Sequence, residues 1–424
     1  MRNTLTISLT TLLIASTSIA QDVYISGFDN DATSSNIAQI WEDDGTKHNL
    51  TNGTNSASAN DVFVYNGDVY AAGIESTGTK ARAKYWKNGT AHTLTNGNEH
   101  AFGNAIFVYD DDVYVGGKEH NGNNFVAKIW KNGSEQILSD GSKNVEIEDL
   151  YVYNGDVYAV GIEYDYSVDG INVNSVIKLW KNGTPENITN GVNSVNAYSI
   201  FVDNNDVYIG GNEYNGTQYV AKVWKNGNAQ NLTTGANNAG VNSVFVANGD
   251  LYAGGYDGTQ PRLWINGIEE TVYYNTNLVG GSIYSVYVHG NDVHLAGRLR
   301  EDNNSDICYY GTYWKNQQVE LTSAAPACVK NTLMRSVFVT NDDLSTKKEN
   351  EIEKNFSVYP NPGQNQLNID VKVPTLLQIY SPQGQLIKEM DVKQNTQVDI
   401  GDLTPGVYFI KDMNTSQTQK LVKE

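Results

Sequence analysis

Cysteine is nearly absent: Cys308 and Cys328 are the only two in 424 residues. Two thiols with no neighbouring histidine make at most half of a zinc site, which argues against a structural metal. In an exported chain an even count predicts one disulfide, and closing a loop of about twenty residues would contribute roughly 3 kcal/mol. Positive charge is also scarce, with 29 Lys and Arg against 48 Asp and Glu and a net charge of −19. Nucleic acid and anionic membranes both need clustered cations, so neither is expected as a partner. Past the N-terminus no apolar run is long enough to cross a bilayer, so no transmembrane segment is expected in the mature chain. G-x-S-x-G, H-E-x-x-H and P-loop motifs are missing, and the 6 histidines are scattered.

Residues 1–20 carry one Arg, a short apolar Thr-rich core and Ser18-Ile19-Ala20 at the end. Small residues at these positions predict a secretory signal cleaved between Ala20 and Gln21.

One phrase dominates the rest of the chain. "AKVWKNG" at 221 has near copies at 83, 127 and 177. The seven tryptophans, Trp41, Trp86, Trp130, Trp180, Trp224, Trp264 and Trp314, alternate with "DVY"-type anchors at Asp22, Asp68, Asp112, Asp156, Asp206, Asp250 and Asp292. The repeat is roughly 45 residues long, a period that marks stacked supersecondary units. The fifth unit reads as strands at Ser199–Asp203, Asp206–Gly211, Tyr219–Trp224 and Ala229–Thr234, from their alternating β-branched and aromatic residues. Asn-Asn or, in other units, Asn-Gly joins the first pair and Lys-Asn-Gly the second in short hairpins, and no helical pattern separates the strands, so antiparallel sheets are expected. Four strands per unit, seven times over, predict an all-β, seven-bladed β-propeller spanning 21–340. Tryptophan would fill the wedge between blades. The chain enters at Asp22–Gly27, a second strand without a first, and leaves at Ser336–Thr340, a first strand without a second; together they would complete one blade and close the ring. The Trp-x-x-Gly turns are loosely similar to HAF-type extracellular repeats of bacteria, a likeness that implies no activity.

A charge pattern runs through the units. An acid follows six of the seven "DVY"-type strands, at Asp29, Glu75, Glu119, Glu163, Glu213 and Asp257, and a cation precedes five of the tryptophans, at Lys84, Lys128, Lys178, Lys222 and Arg262. A metal-binding ring of carboxylates is one reading. Cross-strand ion pairing is the simpler one, because the partners persist while the loop between them changes length.

The tight turns lie at one end of each blade, so the variable loops share the other face, where binding usually resides. That face is the expected ligand site, offering Tyr164, Asp165, Tyr166 and Asp169 from the longest insert, with His120, Tyr214, Tyr256, Tyr309 and Tyr310 from other units. Tyrosine rings stack on sugar faces while amides and carboxylates hold hydroxyls, which predicts a glycan-binding or other surface-partner module. A polysaccharide lyase or glycosidase on the same scaffold, or a protein-binding adhesin, are the alternatives. No catalytic set, cofactor or metal is assigned. "DNDATS" (29–34) and "DNNSD" (302–306) offer calcium-type oxygens without EF-hand spacing.

Beyond 340 the composition changes to a charged linker, 341–355, and then a β-rich module, 356–424. The module contains "FSVYPNPGQNQLNI", "LQIYSPQGQLIKEM", "IGDLTPGVYFIK" and "TQKLVK". In that order these phrases closely resemble the type A C-terminal sorting domain of the type IX secretion system of Bacteroidetes. The resemblance implies a small immunoglobulin-like sandwich, recognised by the outer-membrane secretion machinery and removed after export. It also implies a mature protein that is secreted or attached to the outer cell surface, reached through the periplasm.

Overall fold

A computed structural model describes residues 21–30, 35–166, 173–274, 278–303, 306–322, 332–341, 356–359, 364–381, 385–414 and 418–423. The expected signal segment with Ala20, the linker from 342 onward, Asp169, Cys328 and parts of both calcium-type segments lie outside these residues. Among the described residues, the chain divides into two units, Met1–Asp343 and Leu344–Glu424.

Turn chemistry sets the local geometry of the first unit. In the fifth repeat Asn226 and Gly227 both take positive φ, 49° and 77°. That is the pattern whose twist matches two flanking antiparallel strands. The "WKNG" phrase also ties its own turn. Asn226 donates from Nδ2 to Asp206 at 2.7 Å and accepts from the Val207 N–H at 2.8 Å. Lys225 pairs with Asp206 at 2.7 Å and lies over the Tyr208 ring at 5.0 Å. The same Lys–Asp pair recurs at Lys87–Asp68, Lys131–Asp112, Lys181–Asp156 and Lys315–Asp292.

The hairpins build seven four-stranded antiparallel sheets. Six use consecutive strands. In the seventh, Leu333–Asn341 pairs with Gln21–Asn30, with Val23 opposite Val339 and Ser26 opposite Ser336. The first strands of successive sheets pack side by side, and Leu333–Asn341 packs on Ala57–Tyr65, so the array closes into a β-propeller. An aromatic ring records the closure. Phe63, Phe107, Tyr151, Phe201, Phe245, Tyr287 and Phe338 touch in sequence, with centroids 4.4–4.9 Å apart, and Phe338 returns to Phe63 at 4.8 Å. All seven indoles are at most 2% exposed. Trp224 packs with Tyr158, Val160 and Ile177 of the preceding blade as well as with Ile200 and Ile209 of its own.

Strand boundaries differ from expectation in an informative way. The fifth unit's first strand is Val195–Asp203, four residues earlier at its start, and its outer strand stops at Asn231. A bulge between Ala197 and Ser199 breaks the period-two alternation from which strands are read. At the outer edge the Thr233 hydroxyl accepts from the Ala221 N–H at 3.1 Å, replacing a ladder carbonyl.

The expected ion pairs form at Lys84–Glu75, Lys128–Glu119 (2.7 Å), Lys178–Glu163 (3.0 Å) and Lys222–Glu213 (2.5 Å). The sixth unit departs: Arg262 pairs with Glu269 at 2.9 Å. Aspartate at 257 is one methylene shorter than glutamate and falls short of the diagonal position, so the guanidinium turns to the outer strand. Asp29, with the neutral Gln39 at the diagonal position, takes Lys47 instead at 3.0 Å.

The second unit is a β-sandwich of a three-stranded sheet (Phe356–Tyr359, Gln366–Val371, Thr396–Asp399) and a four-stranded sheet built on Thr375–Tyr380 and Gly406–Asp412. Phe356, Leu367, Ile369, Leu377, Ile379 and Ile410 form its core.

Candidate functional site

Each innermost strand carries a one-residue bulge, and the extra residues are Asn60, Asn104, Glu148, Tyr198, Asn242, Tyr284 and Arg335. All seven line one central cavity of about 580 Å³. They precede the aromatic ring along their strands, and each strand starts at the variable-loop end. The cavity therefore lies on the variable-loop side of that ring. The bulge is forced by the glycine facing it: a Cβ on Gly211 would stand 1.9 Å from the Asn196 carbonyl oxygen, and on Gly73 1.9 Å from that of Ser58. The repeated glycine of "DVYxxG" is thus the sequence signal for a residue turned into the channel, a signal that a search among the loops passes over.

Three of the seven bulge residues serve the scaffold. Asn60, Asn104 and Asn242 donate to the Gly103, Ile147 and Ile283 carbonyls of the next blade at 2.9, 2.8 and 2.7 Å. The residues just after the bulges form a second belt. Asp61 accepts from the Ile106 N–H, Asp149 from Ile200, Ser199 from Val244, Ser243 from Val286 and Ser285 from Val337, all at 2.8–3.1 Å. At Ala105 the side chain has no oxygen, and the Leu150 N–H turns to its own neighbour Asp149 at 2.8 Å.

Glu148, Tyr198, Tyr284 and Arg335 remain as the groups turned to the cavity interior. Burial pushes the Glu148 carboxyl up to about 7 and Asp61 to about 6. Asp149 rises to about 8 through burial and then the charge of Asp61. Arg335 is lowered by burial, and Arg298 opposes its charge. No ion pair joins Glu148 and Arg335 among the described residues, although each feels the other's field.

A side pocket of about 280 Å³ shares Asn242 and Tyr284 with this cavity and is completed by Tyr256, Arg298, Arg300 and Tyr309. The structure thus brings Tyr256 and Tyr309 together. The other loop residues singled out from sequence are engaged locally. Tyr164 donates to Glu146 at 2.5 Å and Asp165 pairs with Lys143 at 3.3 Å. The His120 ring accepts from the Gly122 N–H at 3.1 Å and meets Phe125 edge-on. Tyr214 donates to the Gly216 carbonyl at 3.0 Å, and Tyr310 donates to Glu301, which holds its phenol up at about 12. The Tyr166 side chain is outside the described residues. No group of three or more His, Cys, Asp and Glu is arranged for a metal ion among the described residues.

The second unit is decided by its own sequence. Residues 357–424 match the model of the secretion system C-terminal sorting domain family. The C-terminal unit is a type IX secretion sorting domain. Its β-sandwich agrees with the fold that the phrases of 356–424 imply, and a sorting domain directs export to the cell surface or beyond. No curated protein matches the chain. Among solved structures, the β-propeller domain of the Trilobed protease from Pyrococcus furiosus is 10% identical, with a TM-score of 0.44, covering 70% of this chain and 91% of that one. TolB from Acinetobacter baumannii is 15% identical, with a TM-score of 0.38, covering 58% and 62%. At these scores the propeller assignment rests on the strand topology. No helix among the described residues is long and apolar enough to cross a membrane.

Proposed function

We propose that the exported propeller is a binding protein that seats a polar ligand, a glycan, in its central cavity and the adjoining side pocket on the variable-loop face. The observation that carries this reading is the set of bulged residues: seven blades each turn one side chain into a common space, and four of these, Glu148, Tyr198, Tyr284 and Arg335, are not used to tie blades together. Tyrosine faces with a carboxyl and a guanidinium supply the stacking and hydrogen bonding that sugar rings use. The sorting domain supports an extracellular ligand. Binding is tested on a glycan array with the exported protein. Loss of the positive signals in Tyr198→Ala and Tyr284→Ala supports the cavity, and unchanged signals in both variants overturn it.

The runner-up is a polysaccharide-degrading enzyme. Glu148, with its carboxyl raised to about 7 beside Tyr198, is the feature that favours it, because general acid–base groups work best near the ambient pH. Release of reducing ends or unsaturated products from any array-positive glycan, abolished in Glu148→Gln, supports turnover; its absence supports binding alone. Deleting 356–424 is expected to hold the protein in the periplasm, and normal appearance outside the cell would reject the sorting route.

A further inference from the structure

In a chain of net charge −19, cations have many carboxylates to choose from. Every described lysine of the propeller, from Lys47 to Lys315, meets an Asp or Glu. Arg262 and Arg300 are paired as well. Among the described residues of this unit, Arg82, Arg298 and Arg335 are the arginines without a carboxylate partner. Arg82 lies on its own in the second blade, against Gly97. Arg298 and Arg335 come to the same place.

That place is the wall between the two cavities. Arg298 stacks on Tyr309 at 4.5 Å and lies over Tyr284 at 5.7 Å. Tyr284 borders both cavities, and Arg335 lines the central one on the neighbouring strand. Arg335 feels the like charge of Arg298 more strongly than the opposite charge of Glu148, with which it forms no ion pair among the described residues. The repulsion in this partly desolvated place is relieved when an anion enters between the two guanidinium groups. Stacking on Tyr309 and a hydrogen bond with Tyr284 hold the Arg298 guanidinium in place, and its remaining N–H groups suit a planar, two-oxygen acceptor. The Arg335 Nε is buried without a hydrogen-bond partner among the described residues, a donor for which such an acceptor would provide the missing contact.

We infer that Arg298 and Arg335, with Tyr284 and Tyr309, form a carboxylate seat, so that the ligand of this propeller is an acidic, uronate-bearing saccharide rather than a neutral one. The inference rests on the glycan reading and specifies which sugars satisfy it. The carboxylate would sit between the guanidinium groups while the sugar ring extends along Tyr284 toward Asn242 and Tyr198.

The test is calorimetric titration of the exported protein with a galacturonic acid tetramer and with a galactose tetramer of the same length. The acidic tetramer is expected to bind about tenfold or more tighter, as a charge-assisted bidentate contact implies. Its affinity is expected to fall with added NaCl while that of the neutral tetramer does not, a comparison that needs no variant. Arg298→Gln and Arg335→Gln are each expected to remove most of the preference, and Arg298→Lys, which keeps the charge but not the fork, to retain part of it. Thermal melts confirm that the variants fold. Equal affinity for both tetramers in the native protein overturns the seat and leaves the glycan reading standing. Preference for the acid that survives in all three variants also overturns it. No binding of either tetramer, together with a blank glycan array, overturns both readings.

Discussion

The Ser336 hydroxyl donates to the Asp61 carboxylate at 2.7 Å, joining residues 275 positions apart. The bond crosses the seam where the last propeller strand meets the second blade, and the same carboxylate accepts from the Ile106 and Val62 N–H groups at 2.8 and 2.9 Å. One buried side chain therefore holds the seam and the next blade together. Ending the chain after Thr332 removes the Ser336 hydroxyl, the Phe338 ring and the partner of Gln21–Asn30 at once, and leaves unpaired strand edges. We expect that truncation to lose its cooperative melt and to aggregate, measured by circular dichroism and light scattering. A sharp transition at the full-length temperature would contradict a closed ring.

Asp149 gives the fold a particular pH dependence. Its carboxyl is raised to about 8, so the folded state holds this proton more tightly than the unfolded chain does. Its contribution favours folding near pH 4 and is lost as the pH rises toward 8. Asp112, Asp156 and Asp206 act in the opposite sense: hydrogen bonds from Lys131, Lys181 and Lys225 hold them low, and their contribution is lost in acid. Asp149→Asn cannot ionise. Relative to the native protein, its melting temperature is expected to improve steadily between pH 4 and pH 8, and a constant difference across that range would show that Asp149 titrates normally.

Two glycines of the fifth blade separate two kinds of constraint. Gly211→Ala would drive a methyl to 1.9 Å from the Asn196 oxygen, a backbone atom that cannot move without undoing the bulge. Gly227 has positive φ, and nothing lies within 4 Å of the point an alanine methyl would occupy, so Gly227→Ala meets only backbone strain of about 1 kcal/mol. Gly211→Ala is expected to cost about 3 kcal/mol or more. Urea titration measures both, and equal costs would mean that the bulge relaxes.

The tryptophans are equivalent in burial and unequal in hydrogen bonding. The Trp314 indole N–H donates to the Tyr273 carbonyl at 3.0 Å, whereas the Trp130 N–H has no partner among the described residues. Trp314→Phe is therefore expected to cost about 1 kcal/mol more than Trp130→Phe, the usual net value of one buried hydrogen bond. Chemical denaturation of the two variants tests the difference.

Cys308 is buried at 1% exposure in the strand Asp306–Lys315. Pairing with Cys328 is expected to leave no titratable thiol in the oxidised protein, and reduction is expected to lower stability by roughly 3 kcal/mol. A free thiol in the native exported protein would exclude the bridge.

Periodicity and turn chemistry made the propeller legible from the residues alone. Asn-Gly at fixed offsets, one tryptophan per unit and a split blade at the two ends each specify a local or nearest-neighbour relation, and such relations survive in a linear string. The charge pairs were legible for the same reason and departed where Asp257 is one methylene too short. The ligand face was legible only as a face. Which residues converge depends on seven bulges that break the period-two alternation and rotate Glu148, Tyr198, Tyr284 and Arg335 toward an axis shared by blades far apart in sequence. Arg298 and Arg335 look like isolated cations in the string, because the adjoining cavities they line, with Tyr284 common to both, exist only once the blades have packed.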